Sequence, residues 1–136
     1  MKTALFAALA ISAFAAGLDL IQPADLAPEV AARHVTVLYV GPNVLYRSKH
    51  IPGAIYAGPG NTPEGIGLLK DRAAKLPRDR QVAIYCGCCP WDRCPNIKPA
   101  IEALRALGFT EVKVAYLETG FKADWIDKGL PVETGP

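Results

Sequence analysis

Short β-branched or apolar runs alternate with helix-length stretches along most of this chain, and that alternation limits the fold more than any other feature. Val35 to Val40, Ile55 to Ala57, Gln81 to Tyr85 and Val112 to Leu117 have strand length and strand composition. Between them lie helical patterns. Pro23 to Arg33 carries Leu26 and Val30 on one face. Thr62-Pro63-Glu64 opens the next, with a capping hydroxyl, a proline in the first turn and an early carboxylate. Ile66, Leu69, Ala73 and Leu76 follow at helical spacing, and Pro77 stops the run. Asn96 is placed to cap a helix from Ile97 to Leu107, closed by Gly108. Lys122 to Lys128 reads as a short final helix ending at Gly129. Gly41-Pro42-Asn43, Gly58 to Asn61 and Arg78-Asp79-Arg80 read as turns, the last one solvated. The expected fold class is α/β: a single domain whose central parallel sheet of about five strands has helices on both faces. Ligands of such sheets sit at the carboxyl ends of the strands.

The first residues are different in kind. Lys2 is followed by an apolar run from Ala4 to Ala16, broken by Ser12, and Ala13-Phe14-Ala15 fits a small-residue cleavage site. The run falls short of the about 20 residues a membrane-spanning helix needs. It reads as a secretory signal peptide over 1–15, leaving a domain over 16–136. The expected setting is exported, periplasmic or secreted, with no membrane attachment after cleavage. A hydrophobic share of 51% excludes a disordered chain, and a net charge of +2 offers no electrostatic case for nucleic acid.

Export gives the cysteines weight. The chain has 4, all between Cys86 and Cys94, in Tyr85-Cys86-Gly87-Cys88-Cys89-Pro90-Trp91-Asp92-Arg93-Cys94-Pro95-Asn96. A disulfide framework spreads its cysteines to close long loops; this cluster closes almost nothing. The loop joins a strand end to a helix N-terminus, where N–H groups and the helix dipole favour a thiolate. Arg93 adds a permanent positive charge. Such a thiolate is a nucleophile.

Lys49-His50-Ile51-Pro52-Gly53-Ala54 resembles the G-H-I-P-G-A segment of rhodanese-like domains. Leu117-Glu118-Thr119-Gly120-Phe121-Lys122-Ala123-Asp124-Trp125, with Gly129-Leu130-Pro131-Val132-Glu133, is similar to their closing segment. The resemblance covers about Ile21 to Glu133. It implies a sulfurtransferase: a cysteine takes sulfane sulfur from a donor, becomes a persulfide, and passes the sulfur to a thiophilic acceptor. The partners it implies are a small sulfur-containing anion or a thiol or persulfide donor, and a redox or sulfur-acceptor protein. No cofactor is called for. Strand position selects Cys86, which is the favoured nucleophile. Loop spacing selects Cys88, since Cys88 to Arg93 is C-x4-R; Cys89 comes third. Cys94, Gly87 and Trp91 complete the loop as resolving or substrate-facing residues. Leu38-Tyr39-Val40-Gly41 departs from the family's L-I-D-V-R, with Tyr39 and Gly41 where the family has Asp and Arg.

Two other chemistries fit the same residues. Cys86-Gly87-Cys88-Cys89 contains C-x-x-C after a strand, the pattern of a thiol–disulfide exchanger. Four thiolates also match the count for a zinc or iron–sulfur centre. Against metal, adjacent Cys88 and Cys89 are poorly spaced to face one ion, and the C-x-x-C knuckle pairs and a C-x-x-C-H haem motif are missing, so no metal ligands are assigned. His50 is expected to be structural, His34 solvated, and Trp125 packed under the last helix.

Overall fold

The computed structural model describes residues 18–136, so the expected leader lies outside the described residues. Five parallel strands form one sheet in the order β1-β5-β4-β2-β3. They are β1 (Leu20–Ile21), β2 (Thr36–Tyr39), β3 (Ile55–Tyr56), β4 (Val82–Tyr85) and β5 (Val112–Ala115). The helices are α1 (Pro23–Ala31), α2 (Asn43–Ser48), α3 (Pro63–Ala73) and α4 (Ile97–Ala106), and a π-helical turn spans Lys122–Ile126. Among the described residues, no helix is long and apolar enough to cross a membrane.

Strand side chains alternate between faces, so each strand feeds two cores. Leu38, Ile84 and Val114 pack with Leu69, Ile101 and Leu104 of α3 and α4. Val37, Tyr39, Tyr85 and Ala115 pack with Leu26, Tyr46, Phe121 and Trp125 on the opposite face. Central β4 is buried on both sides along its whole length. The expected doubly covered parallel sheet is the observed one. Cys86 continues the alternation of Val82 and Ile84 and joins the α3/α4 core. That parity aims its sulfur at the start of α4.

Several local details differ from the reading of the sequence. Asn43 does not close a turn; it opens α2, in which only Tyr46 is buried. Val44 is 73% exposed there, so no amphipathic stripe announces the helix. The fifth strand, β1, is two residues at the sheet edge, paired to β5 through Leu20 and Val114. The arginines of the 78–80 turn are tied down. Arg80 donates to Thr36 Oγ1 at 3.0 Å and to the Arg33 carbonyl at 2.9 Å. Arg78 lies 4.8 Å over the Phe109 ring and donates to the Ala73 and Leu76 carbonyls. Thr62 caps α3 as expected, its hydroxyl accepting from the Gly65 N–H at 3.0 Å.

His50 is structural. Its Nδ1 meets the Tyr46 carbonyl at 2.7 Å, its Nε2 meets Glu133 Oε1 at 3.1 Å, and its ring stacks on Tyr46. The same carboxylate oxygen accepts from the Gly53 N–H at 2.6 Å. Backbone bonds in both directions between His50 and Glu133 fasten the C-terminal tail to this turn. Glu133→Ala removes the acceptor of the Gly53 N–H and the partner of His50 Nε2, and is expected to cost about 1–2 kcal/mol in urea denaturation. Glu133→Gln, which keeps a side-chain oxygen, should recover part of that loss. His34 is exposed beside Glu29, as expected. Trp125 is 1% exposed under the final turn, its indole N–H donating to the Pro131 carbonyl.

Candidate functional site: a four-sulfur cluster at the end of the central strand

The loop leaves β4 at Cys86 and enters α4 at Ile97. Gly87 adopts φ +61°, a left-handed conformation that costs a side chain strain but is open to glycine. A Cβ there would also stand 3.3 Å from Phe121 Cβ. The reversal at Gly87 brings Cys88 back over Cys86, with their sulfurs 2.9 Å apart. Cys88 Sγ is 3.0 Å from Cys89 Sγ and 4.0 Å from Cys94 Sγ. All four sulfurs lie within 4.8 Å of one another. This corrects the expectation that Cys88 and Cys89 are poorly spaced to face one ion: with the left-handed turn at Gly87, both sulfurs lie within 4.8 Å of the other two. The thiols differ in access. Cys86 and Cys94 are buried, Cys89 is intermediate, and Cys88 is exposed.

Asn96 has a different task from the expected one. Its side chain makes no capping bond to α4. It is 3% exposed, and its carboxamide oxygen accepts from the Asn61 N–H at 3.0 Å. A backbone N–H can only donate, so the amide orientation is set, and its nitrogen must face the sulfurs. That nitrogen donates to Cys86 Sγ at 3.2 Å and approaches Cys94 Sγ at 3.7 Å. Asn61 belongs to the loop after β3, so two separate strand-end loops meet at the cluster. Among the described residues, no buried side-chain nitrogen or oxygen lacks a partner.

The four thiols share charge unequally. A hydrogen bond from Cys86, above all, holds Cys94 down to about 5, and the Asn96 backbone N–H at the mouth of α4 adds to it. The same contact with Cys94, then burial, pushes Cys86 far up. Burial first, and the Cys88 thiol second, push Cys89 up to about 12. The lowering anticipated beside a helix N-terminus therefore falls on Cys94 rather than on the strand-end Cys86. The two thiols divide the shift through their mutual contact, Cys86 donating and Cys94 accepting, and the Asn96 backbone N–H adds to the lowering on Cys94.

Tyr39 and Gly41 form the wall beneath the cluster. A Cβ on Gly41 would stand 3.1 Å from Cys86 Sγ, so the cysteine loop occupies space that a side chain at 41 would need. Tyr39 donates to the Pro42 carbonyl at 2.9 Å, and its ring packs edge-on against Tyr85. Burial raises the hydroxyl pKa of both tyrosines well above the ordinary value, so both stay neutral. An open groove of about 340 Å³ runs past this wall, lined by Tyr39, Leu45, Lys49, Gly87, Phe121 and Lys122 among others. Sequence reasoning missed this groove, because its walls come from α2 and the π-helical turn as well as the loop.

Trp91 packs. Its backbone N–H donates to the Leu117 carbonyl at 3.1 Å, and its ring lies 6.1 Å from that of Tyr116, tying the loop to the segment after β5. Arg93 is exposed and lines a separate open cleft with Trp91, Asp92, Tyr116 and Glu118. None of the four cysteines lines that cleft.

Residues 23–127 match the profile of the rhodanese-like domain family. An HTH-type transcriptional regulator of Mycobacterium tuberculosis is 37% identical over 117 residues, 86% of this chain and 46% of that protein. The chain thus spans less than half the length of this curated relative. Among solved structures, the rhodanese-like domain of an Anabaena protein superposes with a TM-score of 0.61 at 25% identity, covering 87% of this chain and 80% of that one. A thiosulfate sulfurtransferase from Pseudomonas aeruginosa gives a TM-score of 0.65 at 19% identity, covering 88% of this chain and 21% of that one; this likeness is one of fold.

Proposed function

Because the chain belongs to the rhodanese-like domain family, which includes sulfurtransferases, we propose that it carries sulfane sulfur as a cysteine persulfide on the loop after β4. The observation that supports this reading best is the placement of Cys88. It is the exposed sulfur of the cluster and lies within 4.0 Å of each of the other three. A donor can reach Cys88 from solvent, whereas Cys86 is 3% exposed. Loop spacing to Arg93 points to the same residue. Cys88 therefore takes the entry role in this reading, and Cys86, favoured by strand position, becomes a neighbour of the reacting sulfur.

The chemistry is a displacement. The Cys88 thiol loses its proton to solvent and its sulfur attacks the sulfane sulfur of a small anion such as thiosulfate, or of a low-molecular-mass persulfide. A new S–S bond forms, the donor's own S–S bond breaks, and sulfite or a thiolate leaves with the electron pair. An acceptor thiolate, on a small molecule or a partner protein, then takes the outer sulfur and restores Cys88. Where acceptor is lacking, a neighbouring cysteine attacks Cys88 Sγ instead. That gives a disulfide and releases hydrosulfide, with the protein oxidised and the sulfane sulfur reduced.

The test is sulfur loading of the fully reduced protein with thiosulfate, read as cyanolysable sulfur and as a mass gain of one sulfur atom. Arg93 enters this reading as an exposed charge that draws an anionic donor toward the loop. Exposed charges act weakly and are screened by salt. Arg93→Ala is expected to raise KM for thiosulfate about two- to threefold at low ionic strength and to leave it unchanged near 1 M salt, where the Debye length is about 3 Å. A salt-independent rise would place the guanidinium in direct contact with the donor.

A further inference from the structure

We propose that the four sulfurs of Cys86, Cys88, Cys89 and Cys94 also form a tetrahedral site for a single thiophilic cation, for which Zn²⁺ is the best match. Zinc–thiolate bonds of about 2.3 Å place the sulfurs of a tetrahedron about 3.8 Å apart. The observed sulfur separations straddle that edge, from 2.9 Å between Cys86 and Cys88 to 4.0 Å between Cys88 and Cys94, with none beyond 4.8 Å. Small side-chain rotations then bring each sulfur to bonding distance from one centre. A polynuclear iron–sulfur centre would need the ligands further apart, because bridging sulfides lie between its irons. Thiolate-only sets select soft or borderline ions over the oxygen-loving Mg²⁺ and Ca²⁺.

The surroundings are those of a ligand set. Thiolates on a metal keep lone pairs that accept N–H bonds, and such outer partners orient the ligands. Asn96 supplies one. Its amide is locked by Asn61 with the nitrogen toward Cys86 and Cys94. Four thiolates around Zn²⁺ leave an excess negative charge, and α4 begins at Ile97 directly after the loop, with the positive end of its dipole toward them. Two sulfurs are buried and one is exposed, so an ion has a route in from the Cys88 side.

The inference shares its residues with the sulfur-carrier reading but none of its chemistry. A cation on all four sulfurs occupies the lone pairs that sulfur transfer uses, so the loaded protein is expected to be inert toward thiosulfate until the ion is chelated. The test uses the complete reduced chain under anaerobic conditions, titrated with Co²⁺ as a coloured probe and then with Zn²⁺. Intense visible absorption of tetrahedral cobalt thiolate, saturating at one ion per chain and erased by Zn²⁺, is expected. Cys88→Ser, at an exposed position that leaves the fold intact by circular dichroism, should weaken or shift that absorption. Asn96→Ala should lower Zn²⁺ affinity about 10- to 100-fold. Absence of the cobalt spectrum in fully reduced protein overturns the proposal, as does a spectrum unchanged in Cys88→Ser. Sulfur loading of the chelated protein is measured separately, so loss of metal binding with retained loading sinks this inference alone, and the reverse sinks the sulfur-carrier reading alone.

Discussion

Cys88→Ser is expected to lower sulfane-sulfur loading from thiosulfate by roughly 100-fold or more, because serine cannot form the persulfide and is a far weaker nucleophile at neutral pH. The substitution removes one exposed sulfur and should leave thermal stability nearly unchanged. Cys89→Ser, at a half-buried neighbour, should lose less than about 10-fold in loading. Its mark would be in what happens next: a persulfide on Cys88 with fewer neighbours to displace it should persist longer in the absence of acceptor. Cys86→Ser is the decisive companion. If that variant cannot load while Cys88→Ser loads normally, the strand position outweighs exposure, and sulfur enters at the buried thiol.

The second large effect concerns a residue far from Cys88 in sequence. Gly60→Ala is expected to destabilise the domain by about 2–3 kcal/mol, the upper end of ordinary overpacking. A Cβ at Gly60 would stand 2.2 Å from the Asn96 carbonyl oxygen and 3.1 Å from its carbon. Both are backbone atoms, so no side-chain rotation relieves the clash. One loop must retreat. Gly60 itself donates to the Val40 carbonyl at 2.9 Å, which resists movement on its own side. Moving the start of α4 instead strains the bond from Asn61 to the Asn96 amide, and with it the donor held against the sulfurs. A melting temperature lower by about 10 °C is anticipated by circular dichroism. A melt within about 2 °C of the parent would mean that the 58–61 loop shifts freely and does not hold Asn96.

The features that could be read from the sequence are those decided locally. The runs of β2 and β4 are apolar along their length because each face of the sheet is covered. Thr62-Pro63-Glu64 carries its own cap. Cys86 follows Tyr85 directly, so its place at a strand end needed no knowledge of the rest of the chain. Where the reading failed, the deciding partner lay elsewhere. Asn96 has the composition and position of a helix cap, and only the Asn61 N–H, from another loop, turns its amide to the sulfurs. The convergence of Cys88 and Cys89 depends on the sign of one dihedral angle at Gly87, which sequence spacing does not carry. Helix α2 buries a single side chain and so shows no period. The exposure difference between Cys86 and Cys88 is likewise tertiary, and the proposal of Cys88 rather than Cys86 as the entry point rests on it.

The stretch from Cys86 to Asn96 contains all four sulfurs and the amide that meets them, and a hydrogen bond from Asn61 reaches in from outside it. The proposed reactive centre is thus largely one contiguous loop carried by the scaffold, unlike sites assembled from residues scattered over many strands. A relative with the same sheet and a different loop would share the architecture and none of this chemistry, so kinship in fold is here a poor guide to kinship in reaction. Conversely, moving this one loop onto another parallel sheet of the same order would carry the cysteines with it, provided that a neighbouring loop offered an N–H to set the amide and that a glycine stood where Gly41 leaves room for Cys86.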